Sequence, residues 1–220
     1  MEKVDQFLDY AASQEQSVLT YEASDMVLAV HSNSSYLSEP KTRSRSGGHF
    51  FMPKDASFPP NNGSVLNIAQ IMKTIMSLEA EAEIGATNVN AREAVPDRKS
   101  LDEMVHHQPR TPMQTDNTAA HSVVTNNVQP KRTKEMYIRF HWLRCRDVQD
   151  QFRYYWSPDS QNWADYWTKN LPASHHINMR PDFLTPACHL EDLKRRRMKA
   201  VRAVELAQVI ADSSTAMRVC

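Results

Sequence analysis

Three carboxylates stand out for the elements on which the local sequence places them. Glu83 falls in the first long helical stretch, Asp116 at the end of a short strand-like run, and Asp165 at the start of a short final helix. Hard oxygen ligands drawn from separate elements are what Mg²⁺ requires, because it prefers octahedral oxygen coordination and keeps several waters. Two such ions about 3.5–4 Å apart can activate a water and stabilise the leaving oxygen of an in-line displacement at phosphorus. On spacing alone this signal is weak, since any chain with 26 acidic residues contains such triples. Read without context, Glu79, Glu81 and Glu83 make a solvated helix start that the helix dipole favours, and Asp116 before Asn117 is a helix N-cap.

The elements that would position these groups follow from periodicity and turn residues. Val4, Phe7, Leu8 and Ala11 share one face of a short amphipathic helix over 2–13. The run from Met26 to His31 suits a buried strand, with Asp25 at its start, and Arg45–Met52, containing Gly47-Gly48, a second. Residues 53–63 form a turn-rich connection to a third strand at Val65–Ile71. Ser77 opens a helix reaching Val95, a short strand follows at Met113–Thr115, and residues 117–126 suit another helix. A basic amphipathic stretch covers 131–150, FRYYW at 152–156 has the aromatic density of a strand, and Asn162–Leu171 reads as a last short helix. The sum is a mixed α/β layer. Beyond Pro172 the character changes, with helix formers over 189–211 indicating an appended helix.

Composition narrows the partners. Lys and Arg total 26 and so do Asp and Glu, so net charge is zero and nucleic-acid contact would have to rest on local clusters. The three cysteines, Cys145, Cys188 and Cys220, form no CxxC pair, which reads as a reducing compartment, cytoplasmic or nuclear. No apolar run approaches the roughly 20 residues of a membrane span, so no membrane partner is expected.

Five segments in this order alter the weight of the carboxylates: MVLAVHSNSSYLSEPKTRSRSGGHFF (26–51), MSLEAEAEIGA (76–86), QTDNTAAH (114–121), PKRTKEMYIRFHWLR (130–144) and QNWADYWTK (161–169). Together they closely resemble the ribonuclease H (RNase H) domain of copia-type long-terminal-repeat retrotransposons, a C-terminal part of the Pol polyprotein. The resemblance covers roughly residues 4–185. It implies a five-stranded mixed sheet flanked by helices. It also implies an activity that cleaves the RNA strand of an RNA–DNA hybrid with two Mg²⁺ ions, or Mn²⁺ in their place, and a polymerase domain of the parent polyprotein as a further partner. Domains are expected at 1–20 (a helical connection), 21–172 (the RNase H-like domain) and 173–220 (a tail with the 189–211 helix). By resemblance Glu83, Asp116 and Asp165 are the second, third and fourth metal-binding acids. The first belongs in the opening strand, where this chain has Asn33.

An amide brings no negative charge. Removing one unit charge about 4 Å from a divalent ion, at an effective dielectric near 20, forfeits on the order of several kcal/mol, and about 1.4 kcal/mol is tenfold in rate. The expectation is an impaired or inactive nuclease, a pseudoenzyme. The alternatives are an active endoribonuclease with an incomplete metal site and a non-catalytic nucleic-acid-binding or protein-interaction module. Lys131, Arg132, Lys134 and Arg139 are the candidate phosphate contacts along a hybrid, against a solvated helix face. Trp142, Trp156, Trp163 and Trp167 are read as core and rim. The pairs His106-His107, His175-His176 and Cys188-His189 fit no common zinc spacing.

Overall fold

A strand buried on both faces must offer each face a different set of side chains, because successive residues point to opposite sides. The computed structural model, which describes residues 2–13, 17–125 and 134–184, builds on one such strand. β1 (Ala29–Glu39) lies at the centre of a five-stranded sheet whose order is β3-β2-β1-β4-β5. β2 (Arg43–Phe51) and β3 (Ser64–Ile71) run antiparallel to their neighbours, while β4 (Thr111–Thr115) and β5 (Phe152–Trp156) continue the sheet in parallel. The helices are α1 (Glu2–Ala12), α2 (Glu79–Glu103), α3 (Thr118–Thr125), α4 (Lys134–Val148) and α5 (Ala173–Phe183). The five-stranded mixed α/β sheet expected from the sequence is the one observed.

One face of the sheet is apolar. Leu28, Val30, Phe50, Met113, Phe152 and Tyr154 pack there against Ile84, Ala91, Ala94 and Leu101 of α2, Ala120 and Val124 of α3, and Leu143 of α4. Burying such side chains stabilises by roughly 1.5–3 kcal/mol each. The other face carries His31, Asn33, Gly47, His49, Phe51, Gln114 and Tyr155, the alternate positions of the same strands. It is covered partly by a short 3₁₀ turn, Trp163–Trp167, which follows another at Asp159–Gln161. Gly47 and Gly48 make both approaches possible. A Cβ on Gly47 would lie 2.6 Å from the Ala164 carbonyl oxygen and 2.5 Å from Thr168 Cγ2, and one on Gly48 2.3 Å from Asn90 Oδ1.

Several boundaries differ from the sequence reading. β1 begins at Ala29 and extends to Glu39, so Asp25 precedes it, and the Asp25 carboxylate instead accepts the Asp55 backbone N–H at 2.9 Å. α2 continues through Pro96, where the pattern suggested a stop. A proline inside a helix costs about 3 kcal/mol. Here the last turns are tied down, because Arg98 donates to the Pro109 and Gln108 carbonyls and to Thr111 Oγ1, and Asp102 accepts the Gln108 N–H. The helix expected over 162–171 is the second 3₁₀ turn.

β3 is an outer strand, and among the described residues no strand pairs with its far side. Its sequence, SVLNIAQI, carries no charge, and Val65 and Leu66 are exposed. By its contacts the chain divides into residues 21–178 and a second unit of residues 1–20 with 179–220. In the second unit α1 leaves Val4, Phe7 and Leu8 exposed. The helix expected over 189–211 lies outside the described residues, as does Cys188-His189.

Candidate functional site

Asn33 sits on β1 directly opposite Gly47, and its side chain turns to the polar face. Its amide nitrogen donates to Asp165 Oδ1 at 2.8 Å and to Thr168 Oγ1 at 3.0 Å. Only the NH₂ end of the amide can face a carboxylate that itself has nothing to donate. Asp165 reaches this position because Asn162 caps the second 3₁₀ turn, its side chain accepting the Ala164 N–H while its amide donates to the Ser32 carbonyl at 3.0 Å. The same Asp165 Oδ1 is 2.5 Å from the Lys169 ammonium, an i,i+4 pair. Burial alone would lower the Lys169 pKa. The hydrogen bond and charge of Asp165, with the charges of Asp159 and Asp116, outweigh burial and raise it.

Glu83 approaches β1 from the opposite, helical face. Its Oε1 accepts the Ser34 N–H at 2.9 Å and the Ser34 hydroxyl at 2.7 Å, while Oε2 is buried without a hydrogen-bond partner. Burial, opposed by the Ser34 hydrogen bonds and helped by the nearby Asp116 charge, pushes its pKa up to about 8. Glu83 therefore holds its own proton at neutral pH.

Asp116 ends β4 next to the exposed Trp156, whose indole N–H donates to the Asp116 carbonyl at 2.7 Å. Burial raises its carboxyl pKa to about 6, a hydrogen bond from Asn162 opposing the shift and Asp159 adding to it. Asp116 is not the cap of α3. That role belongs to Asn117, whose Oδ1 accepts the Ala120 N–H at 2.9 Å.

Asn33, Glu83, Asp116 and Asp165 are thus gathered around the parallel strands β1, β4 and β5, with Asn33 and Glu83 on different faces of β1. Asp159, Thr168, Ser34 and Lys169 were not singled out from the sequence. The signal for Lys169 was present, four residues after Asp165 where a helical turn pairs opposite charges. Asp159 lies in SPDSQN (157–162), between β5 and the second 3₁₀ turn. Glu81, read as a surface charge, is buried and accepts the Ser77 N–H at 2.8 Å. Arg139, a candidate phosphate contact, donates to Thr74 Oγ1 at 2.8 Å and so ties α4 to the segment before α2. Lys131, Arg132 and the Lys134 side chain lie outside the described residues.

The donor set does not fit a pair of divalent ions. Among the described residues no three His, Cys, Asp or Glu side chains converge as metal ligands would. Mg²⁺ keeps several waters and is held by one or two carboxylates, and here Glu83 Oε2 is buried without a hydrogen-bond partner. Asp165 Oδ1 is already engaged by a cation and an amide.

No protein-family model matches the chain. Among solved structures it is similar to the N-terminal RNase H domain of a Mycobacterium tuberculosis protein, 13% identical, covering 65% of this chain and 91% of that one at a TM-score of 0.45. It is also similar to LC11-RNase H1, isolated from compost by a metagenomic approach, 12% identical over 65% of this chain and 93% of that one at 0.46. A retrovirus-related Pol polyprotein from the tobacco (Nicotiana tabacum) transposon TNT 1-94 is 23% identical over 173 residues, 79% of this chain. The sequence likeness supports an RNase H-like domain of a retrotransposon. The chain spans 12% of the length of the polyprotein it matches.

Proposed function

We propose that this RNase H-like domain is a non-cleaving form of a nuclease that ancestrally cut the RNA strand of RNA–DNA hybrids with two Mg²⁺ ions. The observation that carries the reading is the Asn33 amide, donated to Asp165 and Thr168 at the position where the resemblance calls for the first metal-binding aspartate. A carboxylate there would repel Asp165 unless a cation lay between them. An amide attracts it. What remains is a folded scaffold with partly buried acids and an exposed indole at the ends of its parallel strands, where open α/β sheets bind ligands. By the resemblance, the ligand class is an RNA–DNA hybrid and the wider setting a Pol polyprotein with its polymerase domain.

The test is incubation of the purified chain with a labelled RNA–DNA hybrid and Mg²⁺ or Mn²⁺, beside an RNase H of known activity. No cleavage above background is expected, with retention of the hybrid in a gel-shift assay at low salt. Metal-dependent cleavage that disappears in Asp116→Asn would overturn the reading.

A further inference from the structure

The carboxylates that would hold a second charge beside Asn33 are not left bare. Lys169 Nζ lies 2.5 Å from Asp165 Oδ1 and 3.9 Å from Asp159 Oδ1. Its neighbour Thr168 accepts the Asn33 amide, and the Thr168 hydroxyl donates to the Asp165 carbonyl at 2.9 Å. The stretch 165–169 therefore folds back on itself around one carboxylate, and the close approach permitted by Gly47 seats it against β1. We propose that Lys169 is a tethered counterion that occupies the cation position of this cluster, so that the domain holds its acids together without a metal and excludes one from Asp165.

This inference rests on the same site as the proposed function but makes a separate claim. Loss of the first aspartate would account for an inactive nuclease whether or not Lys169 competes with metal. A tethered cation further requires that restoring the aspartate be insufficient. With Asn33→Asp, the ammonium gains a further carboxylate beside Asp165, which it already holds. An incoming divalent ion must then displace Lys169 from both.

The experiment is a titration with Mn²⁺ alone, without nucleic acid, followed by calorimetry and by loss of the free-ion electron paramagnetic resonance signal. The proteins compared are the wild-type chain, Asn33→Asp, Lys169→Met and Asn33→Asp/Lys169→Met, with folding of each checked by circular dichroism. No saturable site is expected in the wild type up to millimolar Mn²⁺, and little gain in Asn33→Asp. The double variant is expected to bind at least tenfold more tightly than Asn33→Asp. Should Lys169→Met fail to fold, Lys169→Gln replaces it in both backgrounds. Binding by Asn33→Asp as tight as that of the double variant, or saturable binding by the wild type, would overturn the proposal. Neither result depends on cleavage, so a failure here is distinct from a failure of the nuclease reading.

Discussion

The two faces of β1 solve the burial of polar groups in different ways. On the helical face the hydrogen bonds come from neutral donors, with Asn90 donating to Ser32 Oγ and the Gly47 carbonyl at 2.8 Å each and Ser34 donating twice to Glu83, while Glu83 Oε2, Asn90 Oδ1 and Ser46 Oγ have no partner among the described residues. These bonds sit within an apolar core of α2, α3 and α4. On the other face the groups are charged or titratable. Asp165 and Lys169 pair, and His31 and His49 are buried, their rings 5.0 and 5.3 Å from that of Phe51. Their cover is a short 3₁₀ turn rather than long helices. A helix with many apolar contacts tolerates a local change, whereas a turn of five residues depends on a few specific atoms. The polar face is therefore where substitutions should have disproportionate effects.

The glycine pair gives the largest expected contrast. Gly47→Ala should lower stability by about 2–3 kcal/mol, because its Cβ meets a backbone carbonyl that cannot rotate away. Gly48→Ala should cost less, since the obstructing atoms, Asn90 Oδ1 and Cγ and Phe50 Cε2, belong to side chains rather than to the backbone. Urea denaturation of the two variants checks the order, and equal losses would erase the distinction between the faces.

Asn90→Ala should cost roughly 2 kcal/mol, because two buried acceptors lose their donor. Its effect should appear in the denaturation midpoint of the whole domain.

A smaller contrast lies in pH. Burial lowers the pKa of His31, with His49 adding to it, and burial lowers that of His49 more than its Asn61 and Asn67 hydrogen bonds raise it. The unfolded chain then binds protons that the folded one refuses, so this face loses stability as pH falls below about 6.5, by at most about 1.4 kcal/mol per pH unit per histidine. Glu83 has the opposite sign. Its pKa rises from 4.5 to about 8 on folding, so its contribution is full below pH 4.5 and is lost as pH rises towards 8. Urea midpoints between pH 5 and 8.5 should show a shallower acid limb in His49→Gln and a shallower alkaline decline in Glu83→Gln. If both variants track the wild type, the assigned titrations are wrong.

Much of the fold was legible because strands and turns have short-range signals. FRYYW, the Gly47-Gly48 pair and the Pro-rich 53–63 connection mark β5, β2 and the β2–β3 loop at nearly their observed positions. Where local rules failed, long-range contacts had overruled them. Arg98 and Asp102 carry α2 past Pro96, and Asn162 converts an expected helix into a capped 3₁₀ turn. The acids of the site were legible as an ordered set of motifs. Their neutralisation was less so, because sequence spacing shows that Lys169 can reach Asp165 but not that Asn33 turns to meet Asp165 and Thr168.

The uncharged outer strand β3 has a practical consequence for anyone handling the domain alone. Among the described residues no strand pairs with its outer edge, and Val65 and Leu66 are exposed there with no lysine or proline to discourage a visitor, so the edge is a template for another extended segment. Concentrated solutions should therefore self-associate along this rim, and a single lysine at Leu66 is the economical way to keep the molecules apart.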